Sequence, residues 1–264
     1  MLTSLNNVRV KRVVELSKKA GARNKEDVFI VEGIRMFQEA PVDRIVECYV
    51  TEAFLEKCDC RDRLCKCSYE IVSEEVFRKI SDTQTPQGIL CVVKQYHYRI
   101  EELLQKENPL LILLEELQDP GNLGTILRTG EGAGIDGIIM SKKTVDIYNP
   151  KTIRATMGSI YRVPFLYAES LEQVIRQLKE KKIRTYAAHL QGREYYDIQE
   201  LKEGCAFLIG NEGNGLKKET ADLADKYIKI PMLGQLESLN AAVAAAILMY
   251  EAASKRRNGE CYEK

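Results

Sequence analysis

The 264-residue chain has no surplus of charge, its 39 lysines and arginines balancing 39 aspartates and glutamates. It therefore exerts no whole-molecule pull on a polyanion, and any such attraction must come from local clustering. Long apolar runs are missing too. The longest, 241–250, falls well short of the ~20 residues that a membrane span requires, so it is read as a core helix and no membrane partner is expected. The first residues, with Thr3, Ser4, Asn6 and Asn7, lack the apolar stretch and small-residue cleavage site of a secretory signal, so a cytoplasmic location is expected. Histidine is scarce: His97 and His189 are the only two, neither in a nucleophile-elbow context, which argues against a Ser-His triad and for structural roles. No Gly-rich stretch ends in Gly-Lys-Ser/Thr, which disfavours a phosphate-binding loop. The spacing of Gly130, Gly132 and Gly134 falls at the end of a predicted helix, whereas a dinucleotide fingerprint needs a strand-to-helix turn. Internal repeats and low-complexity tracts are absent as well.

What is present is an ordinary globular composition, 45% apolar and 30% charged, which predicts a chain folded throughout. Within residues 1–25, Arg9, Lys11, Arg12, Lys18, Lys19, Arg23 and Lys25 face a single acid, Glu15, forming a basic arm. The eight cysteines are expected to stay reduced in a cytosolic chain. Four cluster as Cys58-x-Cys60-x4-Cys65-x-Cys67. That spacing departs from the C-x2-C of structural zinc sites, and its Lys, Arg and Asp neighbours predict a solvated cluster, so no metal is expected.

Val10, Val13, Val14, Leu16 and Ala20 predict a helix ended by Gly21. Strands at 28–31, 45–50, 69–72 and 89–93, with helices at 33–40, 51–57 and 73–80, complete a small α/β domain; Ser73 is the expected N-cap of the last helix and Val76 its first core contact. The polar stretch 95–108, partly helical over 100–105, reads as a connection. Beyond it, 110–114 is a continuous apolar run of the kind found in a central parallel strand, and further strands at 137–140, 184–188, 206–209 and 227–230 alternate with helices such as 171–181. The expected organisation is a domain at 1–98, a linker at 99–107 and a second domain with a mostly parallel sheet at 108–264.

Three segments of the second domain carry polar side chains where strands meet loops, the place where open α/β sheets bind ligands. In Gln118-Asp-Pro-Gly-Asn122-Leu-Gly-Thr-Ile-Leu-Arg128, Pro120 and Gly121 predict a turn and Thr125 the start of a helix. Asn122 then lies just ahead of the helix and Arg128 about one turn into it, near the positive end of its dipole; alternatively Asn122 only caps and Arg128 only makes a surface pair. Gly210-Asn-Glu-Gly-Asn-Gly215 follows a strand and precedes a helix near Leu216, its glycines allowing close backbone approach to a ligand. In Ile230-Pro-Met-Leu-Gly-Gln-Leu-Glu-Ser-Leu-Asn240, Gly234 bends a loop and Ser238 is a plausible N-cap for a helix over 241–254. That helix's alanines (241, 242, 244, 245 and 246) permit very close packing.

These three segments, in this order, resemble motifs 1, 2 and 3 of the SpoU/TrmH family of RNA ribose methyltransferases; the likeness extends over about 110–258 and includes Asn149-Pro-Lys-Thr-Ile-Arg154. Residues 28–93, through Phe29-Ile-Val-Glu-Gly33 and Thr85-Pro-Gln-Gly-Ile89, resemble the family's accessory domain, which is similar to RNA-binding ribosomal proteins. The resemblance implies a C-terminal α/β-knot domain with a deep trefoil knot, a topology that periodicity cannot foresee. It implies S-adenosylmethionine as methyl donor, held by main chain around Gly210, Ile230 and Leu239 with Asn211, Gly213 and Met232, and a catalytic set of Asn122, Arg128, Glu212, Ser238 and Asn240. It further implies a homodimer.

The expected reaction is 2′-O-methylation of a ribose, with large-subunit (23S) ribosomal RNA the preferred substrate. A transfer-RNA methyltransferase, a non-catalytic RNA-binding or ribosome-assembly factor, and a small-molecule nucleotide enzyme are the alternatives. Arg128, too basic to serve as a base, is expected to hold phosphate and stabilise developing alkoxide, with Glu212 orienting Arg128 or the loop. Phosphate contacts are expected from Arg9, Lys11, Arg12, Lys18 and Lys19; Lys151 and Arg154 are candidates for RNA or dimer contacts or belong to a solvated face.

Overall fold

A computed structural model of the chain describes residues 1–57, 59–194 and 198–257. It resolves into two compact units, one of 1–96 with 146–161, the other of 97–145 with 162 onward.

In the first unit the Asn7 side chain accepts the Arg9 N–H at 2.8 Å and so starts helix α1 (Val8–Lys18), which buries Val10, Val13 and Leu16. The helix does not run on to Gly21. Lys19 is extended, and α2 (Ala20–Glu26) resumes after it. The break is fastened by Arg23, only 3% exposed, whose guanidinium donates to the Leu16 and Ser17 carbonyls and pairs with Asp146. There follow β1 (Val28–Glu32), α3 (Ile34–Glu39), β2 (Ile45–Val50), α4 (Glu52–Lys57), α5 (Arg61–Leu64), β3 (Tyr69–Ile71), α6 (Glu74–Ile80) and β4 (Ile89–Lys94). The sheet order is β1-β4-β2-β3, with β4 antiparallel to both neighbours and β2 parallel to β3. Ser73 caps α6 by accepting the Val76 N–H, and Val76, Phe77 and Ile80 pack with Val10, Val13 and Leu16 over one face of the sheet. Cys60 is disulfide-bonded, so the expectation of eight reduced cysteines fails there, whereas Cys48, Cys65, Cys67, Cys91 and Cys205 are free. Cys58 lies outside the described residues. Among those residues no group of three or more His, Cys, Asp or Glu could hold a metal ion.

From residue 97 the elements are α7 (Ile100–Leu103), β5 (Leu110–Leu114), α8 (Pro120–Ala133), β6 (Gly137–Ser141), α9 (Pro150–Thr156), β7 (Phe165–Ala168), α10 (Leu171–Glu180), β8 (Arg184–Glu194), β9 (Cys205–Ile209), α11 (Lys218–Ala221), β10 (Lys226–Lys229) and α12 (Ala241–Arg256). Six strands of the second unit form a wholly parallel sheet in the order β10-β8-β9-β5-β6-β7. Its central strand β5 is buried throughout; Leu111 and Leu113 pack with Val174, Ile175 and Leu178 of α10. Helix α12 packs on α8, burying Ala242, Ala245, Leu248 and Met249, the tight apposition for which its alanines are suited. No helix among the described residues is long and apolar enough to cross a membrane.

Two differences from the sequence reading concern this unit. Residues 146–161 with α9, placed by that reading in the 108–264 domain, pack with the first unit. The cause is visible in the side chains. The Tyr148 hydroxyl accepts the Tyr96 N–H at 2.7 Å and donates to its carbonyl, Tyr148 stacks near Phe29, Ile153 is buried, and Arg154 pairs with Asp82 at 2.5 Å. The edge strand β7, Phe165-Leu-Tyr-Ala168, was not anticipated although its four residues are apolar, and only its two end residues are buried.

Candidate active site

Three loops leave the ends of β5, β9 and β10, and one carboxylate joins two of them. The first loop ends when the Asp119 side chain accepts the Asn122 N–H at 2.8 Å and caps α8, with Pro120 in the first turn. The helix thus begins at Pro120, ahead of the expected Thr125, because Asp119 rather than Asn122 takes the capping position. Asn122 lies in its first turn. Arg128 lies eight residues after Pro120, more than two turns in, beyond the reach of the dipole's positive end.

The second loop is shaped by Asn211. Its side-chain oxygen accepts the Gly213 and Asn214 N–H groups at 2.9 and 3.1 Å, its amide donates to the Glu116 carbonyl at 2.9 Å, and its main chain exchanges two hydrogen bonds with Gly215. A Cβ at Gly210 would stand 2.1 Å from the Gly215 carbonyl carbon and 2.2 Å from the Leu216 nitrogen, so only glycine closes this loop. Glu115, which is buried, ties the loop to the end of β5 by accepting the Lys217 N–H at 2.7 Å and the Thr220 hydroxyl at 2.5 Å.

Glu212 reaches from the second loop to the first. Its carboxylate accepts the main-chain N–H of Gln118 at 3.0 Å, that of Asp119 at 2.9 Å and the Asn122 amide at 3.0 Å. Burial acts to raise this carboxyl, but the hydrogen bonds from Asn122, Asp119 and Gln118 outweigh it and hold the group below the ordinary carboxylate range. The third loop joins through Asn240, whose amide donates to the Asn122 oxygen at 2.9 Å while its own oxygen accepts the Ala242 and Val243 N–H groups. Asn240 is therefore the N-cap of α12. Ser238, read as that cap, stands two residues earlier, exposed in the loop, because the helix begins only at Ala241. Asn122, Glu212 and Asn240 form one hydrogen-bonded chain across all three motifs.

Beside that chain opens a cleft of about 420 Å³. Of the residues read as binding or catalytic, Gly210, Asn211, Glu212, Gly213, Ile230, Met232, Ser238 and Leu239 line it. His189, expected to be only structural, and Ala188, Leu190 and Gln191, not anticipated at the site, also line it from β8; no motif marks them, and only the greater length of that strand carries them there. Arg128 is not among the lining residues. It is exposed on α8, without a hydrogen bond or ion pair among the described residues, and Glu212 binds the first loop instead of orienting it.

The basic candidates of the first unit separate into two kinds. Arg9 donates to Glu47 at 3.0 Å and Glu70 at 2.8 Å, and its guanidinium is held above its ordinary value chiefly by Glu47. Arg12 binds Glu26 at 2.7 Å and also Glu47. Lys19 pairs with Glu15 at 2.9 Å, while Lys11 and Lys18 are exposed and pair with no carboxylate among the described residues. Lys151 is exposed on α9, and Arg154 is engaged by Asp82.

A cleft lined by glycine-rich main chain at the carboxyl ends of parallel strands defines the chain as a ligand-binding α/β protein of the open-sheet class. Residues 109–250 match the model of the SpoU rRNA Methylase family, and residues 7–91 match that of the MRM3-like substrate binding domain. The chain belongs to the SpoU rRNA methylase family. It is 34% identical over 253 residues to the 23S rRNA (guanosine(2553)-2'-O)-methyltransferase RlmP of Bacillus subtilis, covering 94% of this chain and 97% of that protein. The AdoMet-bound rRNA methyltransferase from Sinorhizobium meliloti superposes with a TM-score of 0.86 at 30% identity, covering 96% of this chain and 97% of that one. AviRb from Streptomyces viridochromogenes, at 24% identity, shares the fold with a TM-score of 0.87 over 97% of this chain and the whole of that one.

Proposed function

We propose that this chain transfers the methyl group of S-adenosylmethionine to a ribose 2′-hydroxyl of ribosomal RNA. The observation that carries the reading is the locked junction of three motif loops beside a main-chain-lined cleft, in a chain that aligns over nearly its whole length with a 23S rRNA 2′-O-methyltransferase. The cleft fits the donor: its volume of about 420 Å³ is in the range of small-molecule sites, and glycines at 210, 213 and 215 put main chain without side chains along its lining. The main chain of Gly210, Ile230 and Leu239, with Asn211, Gly213 and Met232 beside them, would hold it. When bound, S-adenosylmethionine supplies an electrophilic methyl group on a sulfonium that leaves as a neutral thioether.

The protein's task is then to position the 2′-hydroxyl and favour its alkoxide. Glu212 is not the base: its carboxylate is held low and already accepts three hydrogen bonds, so it keeps the first loop in place. Asn122 has its oxygen and one amide hydrogen committed to Asn240 and Glu212, which fixes the geometry of the loop. Arg128 carries the fork that suits an RNA phosphate and the developing alkoxide, the proton passing to water or a phosphate oxygen. Ser238, exposed at the cleft, can bond to donor or ribose.

In this reading residues 1–98 grip RNA and 108–264 perform the transfer, the 99–107 stretch connecting them. The family's trefoil knot is assigned to the second domain. A homodimer accounts for the exposed Val243 and Tyr250 on α12. Ribosomal RNA as substrate implies work in the cytoplasm. Calorimetry with S-adenosylmethionine and its demethylated product tests the reading: one site per chain is expected, and no heat of binding by folded protein would overturn it.

A further inference from the structure

A groove of about 640 Å³ crosses the first unit beside α1 and α6. Lys11, Lys18 and Lys19 line it from α1 and its C-cap and Lys79 from α6, over apolar flanks that include Val10 and Val14. Lys11 and Lys18 are seven residues apart, which puts them on nearly the same helix face about 10 Å apart along the axis. The one carboxylate lining the groove, Glu15, is taken by Lys19 at 2.9 Å. Lys11, Lys18 and Lys79 pair with no carboxylate among the described residues. The arm's arginines differ: Arg9 and Arg12 both converge on Glu47 and hold α1 to the rest of the unit.

We propose that this groove is where the first unit grips the RNA backbone, with Lys11, Lys18 and Lys79 neutralising phosphates; this rests on the reading that the substrate is RNA. Exposed ammonium groups on flexible stems suit phosphates, which set register and affinity without reading sequence. Four lysines against one already paired acid make the groove complementary to a polyanion. All its lining residues except Leu5 and Asn6 fall within the 7–91 match to a substrate-binding domain. Lys79 comes from outside the basic arm, and only the packing of α6 against α1 brings it there.

The test uses the full chain and a 23S ribosomal RNA transcript, comparing K11Q/K18Q/K79Q with K57Q/K66Q/K94Q, an equal charge change at exposed lysines outside the groove. The groove variant is expected to bind RNA about tenfold more weakly, and its slope of log affinity against log salt to fall by about 2 to 3. KM for RNA rises with it while kcat at saturating RNA and S-adenosylmethionine affinity stay unchanged, and the control variant stays within about twofold of the parent. A groove variant that binds RNA as tightly as the control, with an unchanged salt slope, overturns the assignment, even if it has lost an acidic protein partner instead. Failure of the parent chain to bind RNA at all would instead sink the reading on which the groove depends.

Discussion

The cleft of the second unit and the groove of the first use polar side chains in opposite ways. Around the cleft Asn122, Asn211, Glu212 and Asn240 are bonded to one another or to the loops they shape. In the groove Lys11, Lys18 and Lys79 have no protein partner among the described residues. The first arrangement sets a rigid geometry for one small ligand; the second leaves mobile charges for a long polyanion. Mutations near the cleft should therefore act sharply and specifically, and those in the groove gradually, through charge and salt.

Arg128→Lys sharpens the contrast most. Charge is retained and the planar fork lost, so kcat should fall by about 100-fold or more in single-turnover methyl transfer. Near-normal turnover would mean that only charge matters there, as in the groove. Gly210→Ala drives a Cβ into main chain that cannot give way. Donor affinity measured by calorimetry should weaken by about 100-fold, in line with a ~3 kcal/mol overpacking cost.

Glu212→Gln places an amide NH2 against N–H groups that now donate to a carboxylate, so about a tenfold loss in donor affinity is expected. The same group sets an acid limb. Because its carboxyl is held below the ordinary value of 4.5, its bonding is fully present above that value and lost only as pH falls through the lower folded-state value. Donor affinity should be flat from neutral pH down to that point and then drop, and the Gln variant should lack the drop. Lys18→Arg is the smallest: charge without a demand for shape predicts RNA affinity within about twofold of the parent.

The parallel sheet was legible because strands buried on both faces leave continuous apolar runs, as at 110–114, and the first two motifs because each follows such a run, whereas the strand ahead of the third, Lys226–Lys229, is bounded by lysines. Caps were harder. Asp119 competes with Asn122 and Asn240 with Ser238, and residue type alone does not say which takes the helix end. The packing of α9 on the first unit depends on Tyr148 meeting Phe29 and Tyr96. Such partners, distant in sequence, leave no periodicity. Glu115, just past the apolar run and carrying no sequence signal, is the anchor of the second loop. The basic arm read as uniform, yet Glu47 and Glu70, far along the chain, withdraw Arg9 and Arg12 from it.

Transfer of a labelled methyl group from S-adenosylmethionine to 23S ribosomal RNA, followed by complete digestion to nucleosides, tests the central claim most directly. The account predicts label in a single 2′-O-methylated nucleoside, abolished by an excess of the demethylated donor. Label on a base, or none with folded protein that binds both donor and RNA, would contradict it.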